Sequence, residues 1–128
     1  MNELKIEKRP ELIDGIKDLC GSNDGIFFAS LATEDGFPIH SLGVDCDEDK
    51  FAAINSTITA LSNSCSKEVL KEDFSLAIIE SDSGNVLFVK THYLELPCVL
   101  MVSSKTNKTT LANSRYRTIQ TAKIISNI

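Results

Sequence analysis

Residues 45–71, DCDEDKFAAINSTITALSNSCSKEVLK, read as the long central helix of one small α/β domain. Phe51, Ile54, Ile58, Leu61 and Cys65 recur at steps of three and four, which lines them along one side of a helix and gives that side a sheet to cover. The opposite side carries Ala53, Thr57, Ala60 and Ser64 at the same kind of spacing. All four are small, so another backbone can approach closely, and this face predicts self-association. Ahead of the helix, Asp45, Asp47, Glu48 and Asp49 place negative charge at the positive end of the helix dipole. Capping accounts for them, since a calcium or magnesium site would need the D-x-D-G type of loop that this segment lacks.

Toward the N-terminus lie two apolar runs, residues 26–33 (IFFASLAT) and 37–43 (FPIHSLG), separated by Glu34-Asp35-Gly36. Asp-Gly between two such runs predicts a hairpin, because glycine takes positive φ without steric cost. Pro38 cannot donate to a ladder, so the second strand belongs at an edge of the sheet. Residues 37–42 hold no fixed charge, and a bare edge invites another chain unless something covers it. Phe37, Pro38, Ile39 and His40 are therefore expected to share a homodimer interface with Ala53, Thr57, Ala60 and Ser64. Before the hairpin, Leu12, Ile13, Ile16, Leu19 and Cys20 form a helical stripe that opens at Pro10 and ends at Gly21. Residues 22–25 (SNDG) are turn chemistry, and residues 1–9 are expected to fray.

Beyond the central helix, residues 74–80 (FSLAIIE), 85–91 (NVLFVKT) and 96–103 (LPCVLMVS) read as three strands with short links, an antiparallel meander. Thr106 or Asn107 can cap a last helix whose apolar side is Leu111, Ala112, Tyr116, Ile119, Ala122 and Ile125. The order α-β-β-α-β-β-β-α gives a single α+β domain over residues 1–128, a five-stranded antiparallel sheet flanked by helices.

A chain of 128 residues suits one domain that buries a core without staples, and 42% hydrophobic with 24% charged residues is ordinary globular composition. Thirteen basic against 18 acidic residues give a net charge of −5 without a basic run, which argues against nucleic acid and anionic membrane surfaces as partners. No apolar run approaches the roughly 18 residues that span a bilayer, and the charged N-terminus lacks a signal-peptide core, so a cytoplasmic protein without membrane insertion is expected. Cys20, Cys46, Cys65 and Cys98 are widely spaced with no C-x-x-C, which fits reduced packing cysteines rather than disulfides or zinc.

Catalytic signatures are missing: there is no G-x-S-x-G, P-loop, G-x-G-x-x-G or H-E-x-x-H motif. His40 and His92 read as surface or interface histidines, and nothing orients a Cys98–His92 pair or supplies it with an oxyanion hole. Arg115 and Arg117 could serve phosphoryl transfer only if supplied to a partner, and on a terminal helix they read as solvated or carboxylate-paired. No catalytic, cofactor-binding or metal-ligating residue is predicted, and the protein is read as non-enzymatic.

The order of elements, the apolar strand followed by EDGFPIHSLG, and the helix that begins a few acidic residues later resemble the roadblock/dynein light chain family over residues 10–125. In that family the first hairpin typically reads as an apolar strand, a D-G turn and a strand opening on a hydrophobic-proline pair. Residues 26–31, Asp35-Gly36 and Phe37-Pro38-Ile39 occupy those places here. The resemblance implies a homodimer in which the central helices pack together and the second strands approach to extend the sheet. It also implies regulation or scaffolding of Ras-like small GTPases in motor- or membrane-linked complexes, without an active site. The expected function is thus a non-enzymatic dimeric adaptor or regulator of a small GTPase. The alternative is a small-ligand sensor of PAS- or profilin-like layout, with a pocket enclosed between sheet and helices.

Overall fold

Alternation along the last strand divides the interior in two. Cys98, Leu100 and Val102 face one core cluster while Val99 and Met101 face another, so both sides of the sheet must be covered. The structure, a computed structural model, describes residues 6–21, 25–43 and 47–128. Asp45, Cys46 and most of the expected 22–25 turn lie outside those residues.

The elements are α1 (Pro10–Gly21), β1 (Ile26–Thr33), β2 (Pro38–Leu42), α2 (Glu48–Leu70), β3 (Leu76–Glu80), β4 (Gly84–Tyr93), β5 (Leu96–Lys105) and α3 (Leu111–Ser126). They form one antiparallel five-stranded sheet in the order β2-β1-β5-β4-β3, with β2 and β3 at its edges. This is the α+β layout the sequence predicts. Helices α1 and α3 cover one face, where Leu12, Ile16, Leu19 and Ile125 pack against Leu31, Ile39, Val89, Tyr93 and Leu100. Helix α2 crosses the other face over Phe28, Phe88, Val99 and Met101, and its Phe51 ring lies 5.0 Å from that of Phe28.

Helix α2 sits on the sheet by a different side from the one its apolar spacing predicts. Ala52, Asn55, Thr59 and Ser66 are buried, Phe51 and Ile58 are half-buried, and Ile54, Leu61 and Cys65 are exposed. The reason is volume. The sheet beneath α2 supplies two phenylalanines and a methionine, so small residues let the helix seat closely. Two polar groups of that inner side are bonded: Asn55 Nδ2 donates to the Val99 carbonyl at 3.0 Å, and Thr59 Oγ1 donates to the Asn55 carbonyl at 2.7 Å, while Asn55 Oδ1 is buried without a protein partner among the described residues.

Helix α3 departs from expectation in the same way. Its buried side is Ser114, Thr118, Thr121, Ala122 and Ile125, whereas Ala112 is exposed and Tyr116 stands 63% exposed. Ser114 shares a 2.8 Å hydrogen bond with Ser104, and Thr118 Oγ1 donates to the Ser114 carbonyl at 2.7 Å. The N-cap is Thr110, whose side chain accepts from Asn113 N, rather than Thr106 or Asn107, which lie in the preceding turn.

Two further details differ. Strand β4 runs through His92 to Tyr93, so the link to β5 shrinks to Leu94-Glu95, both in the left-handed region at φ 50° and 68°. Residues 6–9, the described part of the N-terminal segment, lie against the body. Tyr93, fully buried, accepts from Arg9 N at 2.9 Å and donates to the Glu7 carbonyl, while Ile6 packs on the core.

Candidate protein interaction surface

The outer side of α2 is built by the same rotation that buries its small polar side. Asp47 starts the helix, its Oδ1 accepting from Asp49 N at 3.1 Å and Lys50 N at 3.3 Å, which is the capping work assigned to the acidic run. Twenty-three residues follow before a left-handed Lys71 ends it. Ala53, Thr57, Ala60 and Ser64 all project outward and are exposed. Ile54 and Leu61 join them, Leu61 at 64% exposure, so the outer side combines close approach with apolar area. Fully covering a side chain of this size stabilises an assembly by about 1.5–3 kcal/mol.

Both sheet edges are open to comparison. Edge β2 carries the other four predicted interface residues. Phe37, just before it, is 43% exposed, Pro38 and His40 are half-buried, and the Ile39 side chain is 2% exposed within the core. Ile39 faces the α1/α3 core, so it can offer a neighbour only its backbone, while alternation turns Pro38 and His40 toward the face that α2 covers. Helices α1 and α2 pack on opposite faces of β2. Burial and the Lys8 ammonium lower the pKa of His40, with Glu48 opposing them.

Edge β3, Leu76–Glu80, packs mainly on β4 and has no comparable helix cover. Its sequence LAIIE holds one charge and no proline, and Ile79 is 47% exposed. Between β3 and the C-terminal half of α2 runs an open cleft of about 550 Å³ bounded by Leu61, Val69, Leu70, Phe74 and Ala77. Val69 and Leu70 stand mostly in solvent. The apolar spacing of α2 carried this signal, although sequence reasoning assigned Leu61 to the core and did not single out β3.

The residues weighed for chemistry are kept apart. His92 and Cys98 lie on neighbouring strands, but Cys98 is buried on the α1/α3 side and its register partner is Thr91, so alternation puts exposed His92 on the far side of the sheet. Burial raises the Cys98 thiol to about 12. Arg117 donates to the Asp18 carbonyl at 3.1 Å, tying α3 to α1. Among the described residues no group of three or more histidine, cysteine or acidic side chains is arranged to hold a metal ion, and no helix is long and apolar enough to cross a membrane.

No protein-family model matches the sequence, and no curated protein matches it. Solved structures do. Myxococcus xanthus MglB is similar at 17% identity with a TM-score of 0.81, covering 94% of this chain and 96% of that one. An MglB structure described as having a tetrameric arrangement is 10% identical with a TM-score of 0.81, over 95% of this chain and 92% of that one. A Roadblock/LC7 domain from Streptomyces avermitilis is 22% identical with a TM-score of 0.73, over 85% and 89%. At these identities the likeness speaks to architecture, and it spans nearly the whole chain: this protein has the roadblock fold.

Proposed function

We propose that this protein is a non-enzymatic, dimeric adaptor or regulator of a Ras-like small GTPase, or a scaffold in a GTPase- or motor-linked complex. The observation that carries this reading is the apolar outer side of α2, which continues through the cleft to the bare β3 edge. Two copies meeting there would set Ala53, Thr57, Ala60 and Ser64 of each helix against the other. Of the two edges, β3 is the better continuation of the sheet, because β2 opens on Pro38 and is already packed from both faces. Similarity to an MglB described in a tetrameric arrangement supports self-assembly. The resemblance to the roadblock/dynein light chain family supports the class of partner. Free thiols at Cys20, Cys65 and Cys98 fit a reducing cytoplasm.

An adaptor that binds one nucleotide state better shifts its partner's switch by that differential affinity. Capture from lysate loaded with GDP or a non-hydrolysable GTP analogue tests the partner. Enrichment of one small GTPase in one state is the expected result, and recovery of none in either state from an organism that encodes candidates overturns it. Solution mass tests the dimer separately: Leu61→Asp or Ile79→Asp should halve it, whereas Phe37→Asp should leave it unchanged. A small-ligand sensor would need an enclosed cavity, and the clefts of about 770 Å³ and 550 Å³ are both open to solvent.

A further inference from the structure

Charge is distributed unevenly along this chain. After Glu95 it carries five lysine or arginine residues and no acidic one, whereas the first 95 residues hold all 18 acids and eight of the basic residues. Part of that C-terminal excess is organised. Arg115, Ile119 and Lys123 recur every fourth residue on one side of α3, and this side borders a groove of about 330 Å³ floored by Leu76, Val89 and Ala122. Among the described residues neither Arg115 nor Lys123 forms an ion pair, whereas Lys90 has Glu34 and Asp73 each 3.9 Å away.

The groove also contains a vacated strand position. Strand β3 begins at Leu76 opposite Val89, and Ser75 makes one more bond by accepting from Lys90 N at 3.2 Å. The chain then leaves toward α2, with Phe74 buried and its ring 5.1 Å from the Lys90 ammonium. Strand β4 continues to Tyr93 paired with β5 but no longer with β3. His92 lies opposite Pro97, which has no N–H, so by antiparallel alternation the His92 main-chain N–H and C=O face the empty lane.

We propose that this groove docks an extended acidic segment of a partner protein, added beside the free end of β4. Its main chain would pair with His92, an apolar side chain would enter the floor between Val89 and Ala122, and flanking carboxylates would meet Arg115 and Lys123. Two cations without ion-pair partners over an apolar floor complement an acidic chain, and a lane that already has strand geometry accepts an extended one. The floor belongs to the α1/α3 face, so the site is separate from the outer side of α2.

The probe is the synthetic peptide acetyl-EDVEVDE-amide, titrated into isotopically labelled protein at low ionic strength and followed by NMR, with acetyl-KKVKVKK-amide as control. The acidic peptide should produce saturable shifts confined to residues 90–93 and 115–126, and the basic one none. Arg115→Glu with Lys123→Glu should weaken binding about tenfold or more, the scale of losing two charge-assisted contacts, while solution mass stays unchanged. Should that variant fail to fold, Arg115→Gln and Lys123→Gln singly must each weaken binding. Absence of saturable shifts, shifts centred on α2, an equal response to the basic peptide, or indifference to the substitutions would each overturn the proposal.

Discussion

The Asn55 carboxamide, 1% exposed on the inner side of α2, donates to the main-chain carbonyl of Val99 in the middle of the sheet at 3.0 Å. This bond adds to the close seating of the small inner residues in holding a helix whose apolar spacing alone would turn another side inward. With Asn55 held, Ile54 and Leu61 face out, and the outer side of α2 becomes available to a second protein.

Asn55→Ala removes that donor and should destabilise the fold by about 1–3 kcal/mol, the cost of an unmade buried hydrogen bond together with lost packing. Asn55→Asp should be at least as harmful, because a buried carboxylate cannot donate and would face a carbonyl. Urea unfolding of the two variants gives the comparison, and a shift under about 0.5 kcal/mol for alanine would show that the bond does not anchor the helix.

Tyr93 does for the N-terminal segment what Asn55 does for α2. Its hydroxyl accepts from Arg9 N and donates to the Glu7 carbonyl from a fully buried position. Tyr93→Phe keeps the ring and deletes both bonds, so about 1–3 kcal/mol should be lost. Hydrogen exchange at the Arg9 amide should accelerate more than at β5, and equal acceleration at both would mean the hydroxyl supports the domain as a whole.

Leu94 and Glu95 form a two-residue hairpin in the conformation that Asn-Gly ordinarily occupies. Leu94 packs against the core, but Glu95 is exposed and holds φ 68° with a side chain that disfavours it. Glu95→Gly should therefore stabilise the protein by about 0.5–1 kcal/mol, since relief of left-handed strain outweighs the added freedom of the unfolded chain. A lower thermal midpoint in this variant would contradict that balance.

The fold was legible because strand patterns and turn residues are local. Asp35-Gly36 fixed the first hairpin, and the apolar runs fixed five strands whose centres the structure keeps. What hid the candidate surface was chemistry that periodicity cannot weigh. Thr59 and Thr118 bond their own helix carbonyls four residues back, so they bury like small apolar residues while reading as polar. Leu61 reads as core, yet the inner side was already filled by Phe28, Phe88 and Met101 from the sheet. Pro38 drew attention to β2, while the barer β3 edge carries no such marker.

Thiol reactivity should follow burial. Desolvation raises Cys20 to about 11, with Arg117 opposing, and Cys98 to about 12, whereas Cys65 is exposed. Because the thiolate is the nucleophile, iodoacetamide at mildly alkaline pH should modify Cys65 well before Cys20 or Cys98 in the Leu61→Asp variant, in which a second copy no longer covers the cleft that Cys65 lines. Peptide mapping after timed quenching reads the order, and urea should abolish the difference. Native modification of Cys98 as fast as Cys65 would mean that β5 opens readily.

His40 sets the last expectation, through proton linkage. Burial and the Lys8 ammonium hold its pKa below the ordinary 6.5, with Glu48 only partly compensating, so the unfolded chain binds a proton more readily than the folded one. The stabilising contribution of the neutral imidazole is fully present above 6.5 and is lost as pH falls from there through the lowered folded value. Thermal midpoints should decline on acidification across that window, and His40→Gln, which cannot take up a proton, should decline less. Parallel curves for the two proteins would show that other groups account for the acid sensitivity.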